Sequence, residues 1–303
     1  MSKEQQLGLD AILRQGGLDT GGDVPALRAA FDELMAQIPV ARDIQQTPIA
    51  LGGVDAVEVV VGDLGTDNVI LYFHGGVYVI GSASASVPLV GDIARRTAMR
   101  VYTVDYRLGP EHPYPAAVQD AMAAYQGLLE QGVHPKRIAV AGESAGGGLA
   151  VSALLALRDA GTPLPACAFV MSPYVDLTLS GDSMEERMEL DPLLNPDALR
   201  TRVSDYVADG DPADPLISPV FADLSGLPPL LIQVGSHEVL LSDAVRLAAR
   251  AASADVPVIL DVTPGVPHVF QAYAAMLEEG AEALERATSF LGTHLSGEVA
   301  VAS

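Results

Sequence analysis

The sequence predicts an α/β fold in which a mostly parallel sheet is covered by helices on both faces. Short apolar runs of strand character alternate with longer helix patterns along most of the 303 residues. One of these strands leads directly into the run Gly-Glu-Ser-Ala-Gly at 142–146, which opens the next helix pattern. Helix patterns within 4–38 and 183–209 fall outside the alternation. They are predicted to form a cap over the carboxyl edge of the sheet, where open α/β sheets bind ligands.

The elements follow in a regular order after the N-terminal helix patterns. Strand-like segments lie between 44 and 61, and apolar runs then alternate with helix patterns. The predicted strands are 69–73, 100–104, 138–140, 167–171, 230–234 and 256–262. The predicted helices are near 87–98, 116–130, 239–252 and 279–294, with a further one from the serine run to Leu157. This order predicts a helical cap in 1–45 and 183–212 and an α/β catalytic domain in 46–182 and 213–303.

Composition limits the class of protein. The formal net charge of −22 disfavours nucleic acid and anionic membranes as partners. The single cysteine, Cys167, excludes an intrachain disulfide and lies in an apolar run, so we interpret it as a core residue. The sequence has no secretory signal core and no apolar stretch of about 18 residues. We therefore expect a cytoplasmic protein.

The run at 142–146 is a Gly-x-Ser-x-Gly pattern between a strand and a helix, and this context indicates a nucleophilic serine. A serine hydroxyl attacks only when a base takes its proton and its oxygen is presented clear of its neighbours. The sharp turn would hold Ser144 in a strained conformation, while Gly142 and Gly146 would let strand and helix pass closely. The pattern alone also fits a Gly-rich turn with a capping serine. Other stretches must supply a base, an acid and oxyanion donors.

The base and the acid are predicted in the loops after the last two strands. His268 ends a Gly-Val-Pro-His loop after the final strand, and Glu238 follows the strand before it. In this sheet topology the triad residues occur along the chain in the order Ser, acid, His. Ser144, Glu238 and His268 satisfy that order. Asp243 is the alternative acid and His237 the alternative base.

The oxyanion donors are predicted in the loop after strand 69–73 and at the start of the serine helix. Consecutive glycines let the backbone turn its N–H groups inward, so the N–H groups of Gly75, Gly76 and Val77 are candidates. The N–H of Ala145 lies at the positive end of the helix dipole and is the fourth candidate. We interpret the preceding His74 as a hydrogen-bonding brace for this loop.

Over roughly 45–295 these runs resemble the bacterial hormone-sensitive-lipase-like esterases of the α/β-hydrolase fold. The resemblance is carried by His-Gly-Gly at 74–76, Asp-Tyr-Arg-Leu at 105–108 with Pro-Glu at 110–111, Gly-Glu-Ser-Ala-Gly-Gly at 142–147, and the loop 265–268. It implies a carboxylic-ester hydrolase that acts on short to medium acyl chains, works without a cofactor and forms a homodimer through its last strand. With the predicted triad, the reaction would pass through an acyl-enzyme intermediate.

Two positions depart from the pattern of that family. Val77 stands where a third glycine is usual, and its branched side chain restricts the loop. Glu238 stands where aspartate is usual, and its longer side chain requires the loop to sit slightly further back. The charged residues Arg107 and Glu111 are interpreted as loop-pinning scaffold rather than as substrate ligands.

Rival functions fit parts of the same pattern. A lactonase, an amidase or a formamidase would keep the triad and change the bond that is cleaved. A ligand receptor built on the same fold would have lost a triad member, whereas this sequence has all three. No His and carboxylate pair has ligand spacing on one helix face, so no metal site is predicted.

Overall fold

The computed structural model describes residues 2–16, 18 and 20–295. Within these ranges the strands of one sheet are β1 (Ile44–Leu51), β2 (Val54–Val61), β3 (Val69–Phe73), β4 (Arg100–Val104), β5 (Ile138–Glu143), β6 (Cys167–Met171), β7 (Leu230–Gly235) and β8 (Val258–Thr263). The α-helices of the same ranges are α1 (Lys3–Gln15), α2 (Val24–Ala36), α3 (Val87–Thr97), α4 (Ala116–Glu130), α5 (Ala145–Asp159), α6 (Ser183–Glu186), α7 (Pro196–Val207), α8 (Leu241–Ser253) and α9 (Glu278–Leu295).

The sheet has the strand order β1-β2-β4-β3-β5-β6-β7-β8. Strands β3 to β8 run parallel to one another, and β2 is antiparallel to both β1 and β4. The carboxyl ends of the parallel strands therefore share one edge of the sheet, where the loops that follow them meet. The predicted mostly parallel α/β architecture is confirmed.

Helices cover both faces of this sheet, as the continuous apolar runs of its strands predict. On one face, α4, α5 and α8 pack in a core that includes Leu71 and Val140. On the other face, α3 and α9 pack in a core that includes Ile70 and Ala139. Neighbouring residues of β3 and β5 thus enter opposite cores, and both strands are buried on both sides apart from Glu143. The strands that carry the central loops are fixed from both faces.

Strands β1 and β2 form a hairpin, where the sequence indicated strand-like segments. Leu51 pairs with Val54 across Gly52 and Gly53, whose φ angles are 56° and 83°. Positive φ at both turn residues suits a tight two-residue connection, and glycine adopts it without a steric cost.

The structure corrects several predicted boundaries. Strand β8 begins two residues later than predicted, at Val258, because Pro257 has no N–H to donate to the ladder. Helix α8 also begins two residues later, at Leu241. The insertion 183–209, predicted to be helical in character, contains the short α6 and the longer α7, separated by irregular chain. Asn195 caps α7 by accepting from the N–H groups of its first turn.

The N-terminal helices lie against loops at the carboxyl edge of the sheet. Leu9 of α1 belongs to a small core with Val266, beyond the end of β8. Arg28 of α2 donates to the carbonyls of Val79 and Gly109, at 2.8 and 2.7 Å, in the loops after β3 and β4. No helix in the described part of the chain is long and apolar enough to cross a membrane.

Candidate active site

Ser144 occupies the turn between β5 and α5, where its backbone has φ 54° and ψ −122°. A positive φ is uncommon for a residue with a side chain and costs conformational energy unless the surroundings enforce it. The Ser144 N–H donates to the carbonyl of Met171 at 2.9 Å, and its carbonyl accepts from the N–H of Tyr174 at 2.9 Å. Both bonds come from the chain around the end of β6. This segment therefore holds the serine in its strained conformation.

Glycines beside Ser144 let α5 approach the sheet. A Cβ on Gly142 would lie 2.7 Å from the carbonyl oxygen of Phe73, and a Cβ on Gly146 would overlap that same oxygen. The predicted reason for both glycines is confirmed. Gly148 plays a similar part that the sequence did not reveal, because a Cβ there would overlap the carbonyl of Tyr174.

His268 and Glu238 form a buried pair after β8 and β7. The distance between His268 Nδ1 and Glu238 Oε2 is 2.9 Å, and both side chains are almost fully buried. The other oxygen, Glu238 Oε1, accepts from the hydroxyl of Ser172 at 2.7 Å and from the N–H of Gly235. Burial raises the pKa of Glu238, and the hydrogen bonds from His268, Gly235 and Ser172 act in the opposite direction by favouring the ionised form. The arrangement suits a carboxylate that orients an imidazole.

Ser172 links this pair to the serine turn, a role that the sequence does not predict. Its Oγ donates to Glu238 and accepts from the N–H of Val269, at 3.0 Å, beside His268. Ser172 directly follows Met171, the residue that accepts from Ser144. The end of β6 and the residue after it therefore contact the turn of Ser144, the side chain of Glu238 and the loop of His268. The sequence does show a polar residue directly after a central strand, which is typical of a functional loop. It does not show which distant residues that side chain contacts.

The loop after β3 turns sharply above α5. Gly76, Val77 and Tyr78 have consecutive positive φ angles of 115°, 50° and 63°. The carbonyl of Gly76 accepts from the N–H groups of Val79 and Ile80, at 2.9 Å each. These bonds turn the loop back on itself with its peptide groups close to Ser144. Val77 adopts a left-handed conformation that the third glycine usual in the family would adopt more readily.

The N–H of Gly75 already has an acceptor. It donates to Glu143 Oε1 at 2.7 Å, so it is directed away from any bound oxyanion. Ala145 is the first residue of α5, and N–H groups in the first turn of a helix have no intrahelical acceptor. Of the four sequence candidates, Gly76, Val77 and Ala145 therefore remain candidate oxyanion donors, whereas the N–H of Gly75 is already bonded to Glu143.

Comparisons with known proteins support a single family. The family model of the alpha/beta hydrolase fold matches residues 70–272. The crystal structure of an esterase from the bacterial hormone-sensitive lipase family superposes with a TM-score of 0.92 at 38% identity, covering 97% of this chain and 99% of that one. The chain belongs to this esterase family.

Curated relatives agree with that assignment. An acetyl-hydrolase of Streptomyces hygroscopicus is 49% identical over 224 residues, which are 74% of this chain and 75% of the relative. An esterase of Acinetobacter venetianus is 40% identical over 266 residues, or 88% of each chain. The protein is a carboxylic-ester hydrolase, and its site can be interpreted as that of an esterase.

The charge distribution around His268 favours its protonated form. Burial by itself lowers the pKa of the imidazole, but the hydrogen bond and charge of Glu238 outweigh burial. The charges of Asp191 and Glu143 act in the same direction, so the pKa of His268 lies above its usual value. A base must be neutral to accept a proton. Activity of the esterase should therefore rise with pH through this raised pKa.

Asp243, the alternative acid, lies in a different network. Its Oδ2 accepts from the N–H groups of Val175 and Asp176, at 2.9 Å each, and thereby ties the chain after β6 to α8. Burial raises the pKa of Asp243 to about 8. Its contacts lie with backbone and not with His268. The alternative base, His237, donates its backbone N–H to Val266, at 3.2 Å, in the loop that precedes His268.

The brace role of His74 is confirmed. Its Nδ1 lies 2.7 Å from the carbonyl oxygen of Gly75, and its ring stacks on Tyr106 with centroids 4.3 Å apart. The hydroxyl of Tyr106 donates to the carbonyl of His74 at 2.7 Å. Burial lowers the pKa of His74, so its imidazole is neutral near pH 7. His74 holds the loop as a neutral group.

The charged residues near the ends of β4 serve the scaffold, as interpreted from the sequence. Arg107 donates to both oxygens of Asp120 on α4. Glu111 receives two hydrogen bonds from Arg28 of α2, at 2.9 and 2.7 Å. Arg28 therefore connects α2 to the loops after β3 and β4.

Other reactive side chains lie elsewhere. Cys167 is fully buried in β6, and burial raises the pKa of its thiol to about 12, as fits a core residue. Among the described residues, no group of three or more His, Cys, Asp and Glu side chains is arranged to hold a metal ion.

The contacts of Glu238 predict how strongly its replacement lowers kcat. We expect Glu238→Gln to lower kcat for a short-chain ester by about three to four orders of magnitude, as the Asp→Asn change does in the serine-protease triad. A neutral amide at position 238 cannot stabilise the imidazolium. The substitution also removes the carboxylate charge that contributes most to raising the pKa of His268. Asp243→Asn is the matched control, because it makes the same acid-to-amide change at a buried carboxyl whose partners are backbone N–H groups.

Both variants should be compared by kcat after circular dichroism has shown that each is folded. Asp243→Asn should cost less than about tenfold, since the amide can still accept one backbone hydrogen bond. If Asp243→Asn proved inactive while Glu238→Gln kept its turnover, the assignment of the acid would be wrong.

Proposed function

We propose that the protein hydrolyses short- to medium-chain carboxylic esters through an acyl-enzyme intermediate, with Ser144, His268 and Glu238 as its triad. The observation that carries this proposal is the buried 2.9 Å bond from His268 to Glu238. That pair is joined through Ser172 to the strained turn of Ser144. The loops that carry the proposed base, acid and nucleophile thus lie at one edge of the sheet and are bonded to the same short segment after β6.

Each residue has a distinct role in the proposed reaction. The Ser144 hydroxyl attacks the ester carbonyl while His268 accepts its proton, and Glu238 stabilises the resulting imidazolium. The oxyanion accepts hydrogen bonds from the N–H of Ala145 and from the loop N–H groups of Gly76 and Val77. One such donor contributes about 3–4 kcal/mol in the transition state. His268 then protonates the departing alkoxide, and water repeats the cycle on the acyl-enzyme.

The proposed preference for short acyl groups is supported by the relatives. The Streptomyces hygroscopicus relative, 49% identical, carries the name acetyl-hydrolase. A buried tyrosine pair at the loop after β3 agrees with a short acyl group. Tyr78, in the oxyanion loop, stacks on Tyr206 of α7 with centroids 3.9 Å apart, and both are buried.

Replacing the nucleophile tests the function directly. We expect Ser144→Ala to lower kcat by about 10⁴-fold or more, because the nucleophile is lost, and to leave the fold intact. Ser152→Ala is the matched control: Ser152 lies two turns further along α5, is buried, and its hydroxyl has no hydrogen-bond partner in the described chain. That control should keep wild-type turnover.

The substrates for this measurement are chromogenic esters of graded acyl length, with an anilide and a lactone alongside. We expect the highest kcat/KM for acyl chains of about two to six carbons and much lower values for the anilide and the lactone. Retention of a substantial fraction of turnover by Ser144→Ala would refute the serine mechanism. A preference for the anilide or lactone would change the substrate class and leave the triad in place.

We further propose that α1, α2 and the segment 183–212 form a cap over the site. Their contacts support this proposal, since α2 binds the loops after β3 and β4 through Arg28. Helix α1 packs on the loop after β8 through Leu9. In the insertion, Ser183 donates to the carbonyl of Val239, directly after Glu238. The three segments thus contact loops that carry oxyanion donors, base and acid.

Deleting residues 1–38 tests the cap. The truncated protein should lose kcat/KM most for long-chain esters, because apolar surface that covers the acyl chain is removed. Its kcat for all esters should also fall, since Leu9 no longer packs beside the His268 loop. The measurement is the ratio of kcat/KM between a ten-carbon and a four-carbon ester, in a truncation that circular dichroism shows to be folded. An unchanged ratio would contradict the cap.

A further inference from the structure

Glu143, the residue before Ser144, holds a carboxylate against the oxyanion loop. Its Oε1 accepts the N–H of Gly75 at 2.7 Å. Its Oε2 is buried, and the buried hydroxyl of Tyr72 acts on the same carboxylate as a hydrogen-bond donor. The triad mechanism gives this side chain no task, yet a buried carboxylate beside a nucleophile is costly to maintain. We therefore asked which function of the site this buried carboxylate supports.

The hydrogen bond joins the loop to the serine turn at a point of close contact. A Cβ on Gly75 would lie 3.1 Å from Ser144 Cβ and 3.2 Å from the carbonyl oxygen of Glu143. The neighbouring peptide oxygens of the loop have other partners, since Tyr106 donates to His74 and Val79 donates to Gly76. The Glu143 carboxylate therefore fixes the loop relative to the nucleophile, while the other bonds fix the loop within itself.

Ionisable groups from three neighbouring elements face Glu143. They are Tyr72 of β3, Tyr106 after β4 and His268 after β8. Burial raises the pKa of Glu143 to about 7, although Tyr72, the N–H of Gly75 and His268 act in the opposite direction. The charge of Glu143 in turn helps to raise the pKa of His268.

We propose that Glu143 is a positioning residue for ester hydrolysis: its carboxylate holds Gly75, and thereby places the N–H groups of Gly76 and Val77 over Ser144. This inference rests on the proposed function. The donors are needed mainly when the carbonyl oxygen becomes negative, so their displacement lowers kcat and leaves KM for a short ester nearly unchanged. The same charge faces the imidazolium that His268 forms in the transition state, so the protonation state of Glu143 enters the pH profile.

Two substitutions separate the hydrogen bond from the charge. Glu143→Ala removes the acceptor, and kcat should fall on the order of 10- to 100-fold with KM changed less than about threefold. Glu143→Gln keeps an acceptor oxygen for Gly75, so kcat should stay within about tenfold of wild type. Its acid limb of kcat/KM should shift to lower pH, because one of the three negative charges that raise the pKa of His268 is gone while Glu238 and Asp191 remain.

A boronic acid that forms a tetrahedral adduct with the serine oxygen gives a second readout. Its inhibition constant depends on the oxyanion donors and should weaken in Glu143→Ala in proportion to kcat/KM. Asp243→Asn is the matched control, since it makes an acid-to-amide change at another buried carboxyl, which bonds to backbone N–H groups and not to His268. This control should leave the acid limb where it is in the wild type.

The outcomes are distinct. A lower kcat in Glu143→Ala, weaker boronate inhibition and a shifted acid limb in Glu143→Gln support the proposal. Wild-type kcat in Glu143→Ala, or an unshifted acid limb in Glu143→Gln, overturns it. If Glu143→Ala does not fold, kcat and boronate inhibition of Glu143→Asp, whose carboxylate is one methylene further from Gly75, decide in its place, and wild-type values for both overturn the proposal. An active Ser144→Ala in the same series would show instead that the proposed function has failed.

Discussion

The close approach of α5 to the end of β3 is the constraint on which the site depends. There is no room for a Cβ at Gly142 or Gly146, because the carbonyl oxygen of Phe73 occupies that space. The chain must therefore reverse within one residue, and Ser144 takes the positive φ that this reversal requires. The fold can hold that strain because the strands around the turn are buried on both faces and because the segment after β6 bonds the turn on both sides. The presentation of the nucleophile is thus a consequence of packing.

Buried acids then set the electrostatics of His268, the proposed base. Glu238 contacts His268 directly, while Asp191 and Glu143 influence it through their charges. Asp191 belongs to the insertion, where its Oδ1 accepts from the N–H groups of Leu193 and Leu194, and its Oδ2 accepts from the N–H of Val239 beside Glu238. The proposed cap is therefore bonded to the loop of the acid. In a buried environment such charges act more strongly than in water, so all three favour the imidazolium that the reaction generates.

Local signals explain how much could be predicted from the sequence. The glycines around Ser144 indicate a sharp turn and so predict a nucleophilic serine. Glu238 and His268 are predicted as acid and base because each lies in the loop after one of the last two strands. The hydrogen bond between Glu143 and Gly75 joins residues 68 positions apart, and the bonds of Ser172 to Glu238 and Val269 span 66 and 97. A serine after a strand or a glutamate in a motif does not indicate its distant partner. The same limitation of local signals explains the prediction that the N–H of Gly75 is an oxyanion donor. Its acceptor, Glu143, is distant in the sequence and comes close only in the folded chain.

The measurement that tests the central claim most directly is labelling of the nucleophile. An aryl phosphonate that releases p-nitrophenol transfers its phosphonyl group to an activated serine and mimics the tetrahedral intermediate. The account predicts release of one p-nitrophenol per active chain, a parallel loss of ester hydrolysis, and a label that peptide mass spectrometry locates on Ser144. Full inactivation with the label on another residue, or full activity after stoichiometric labelling of Ser144, would contradict it.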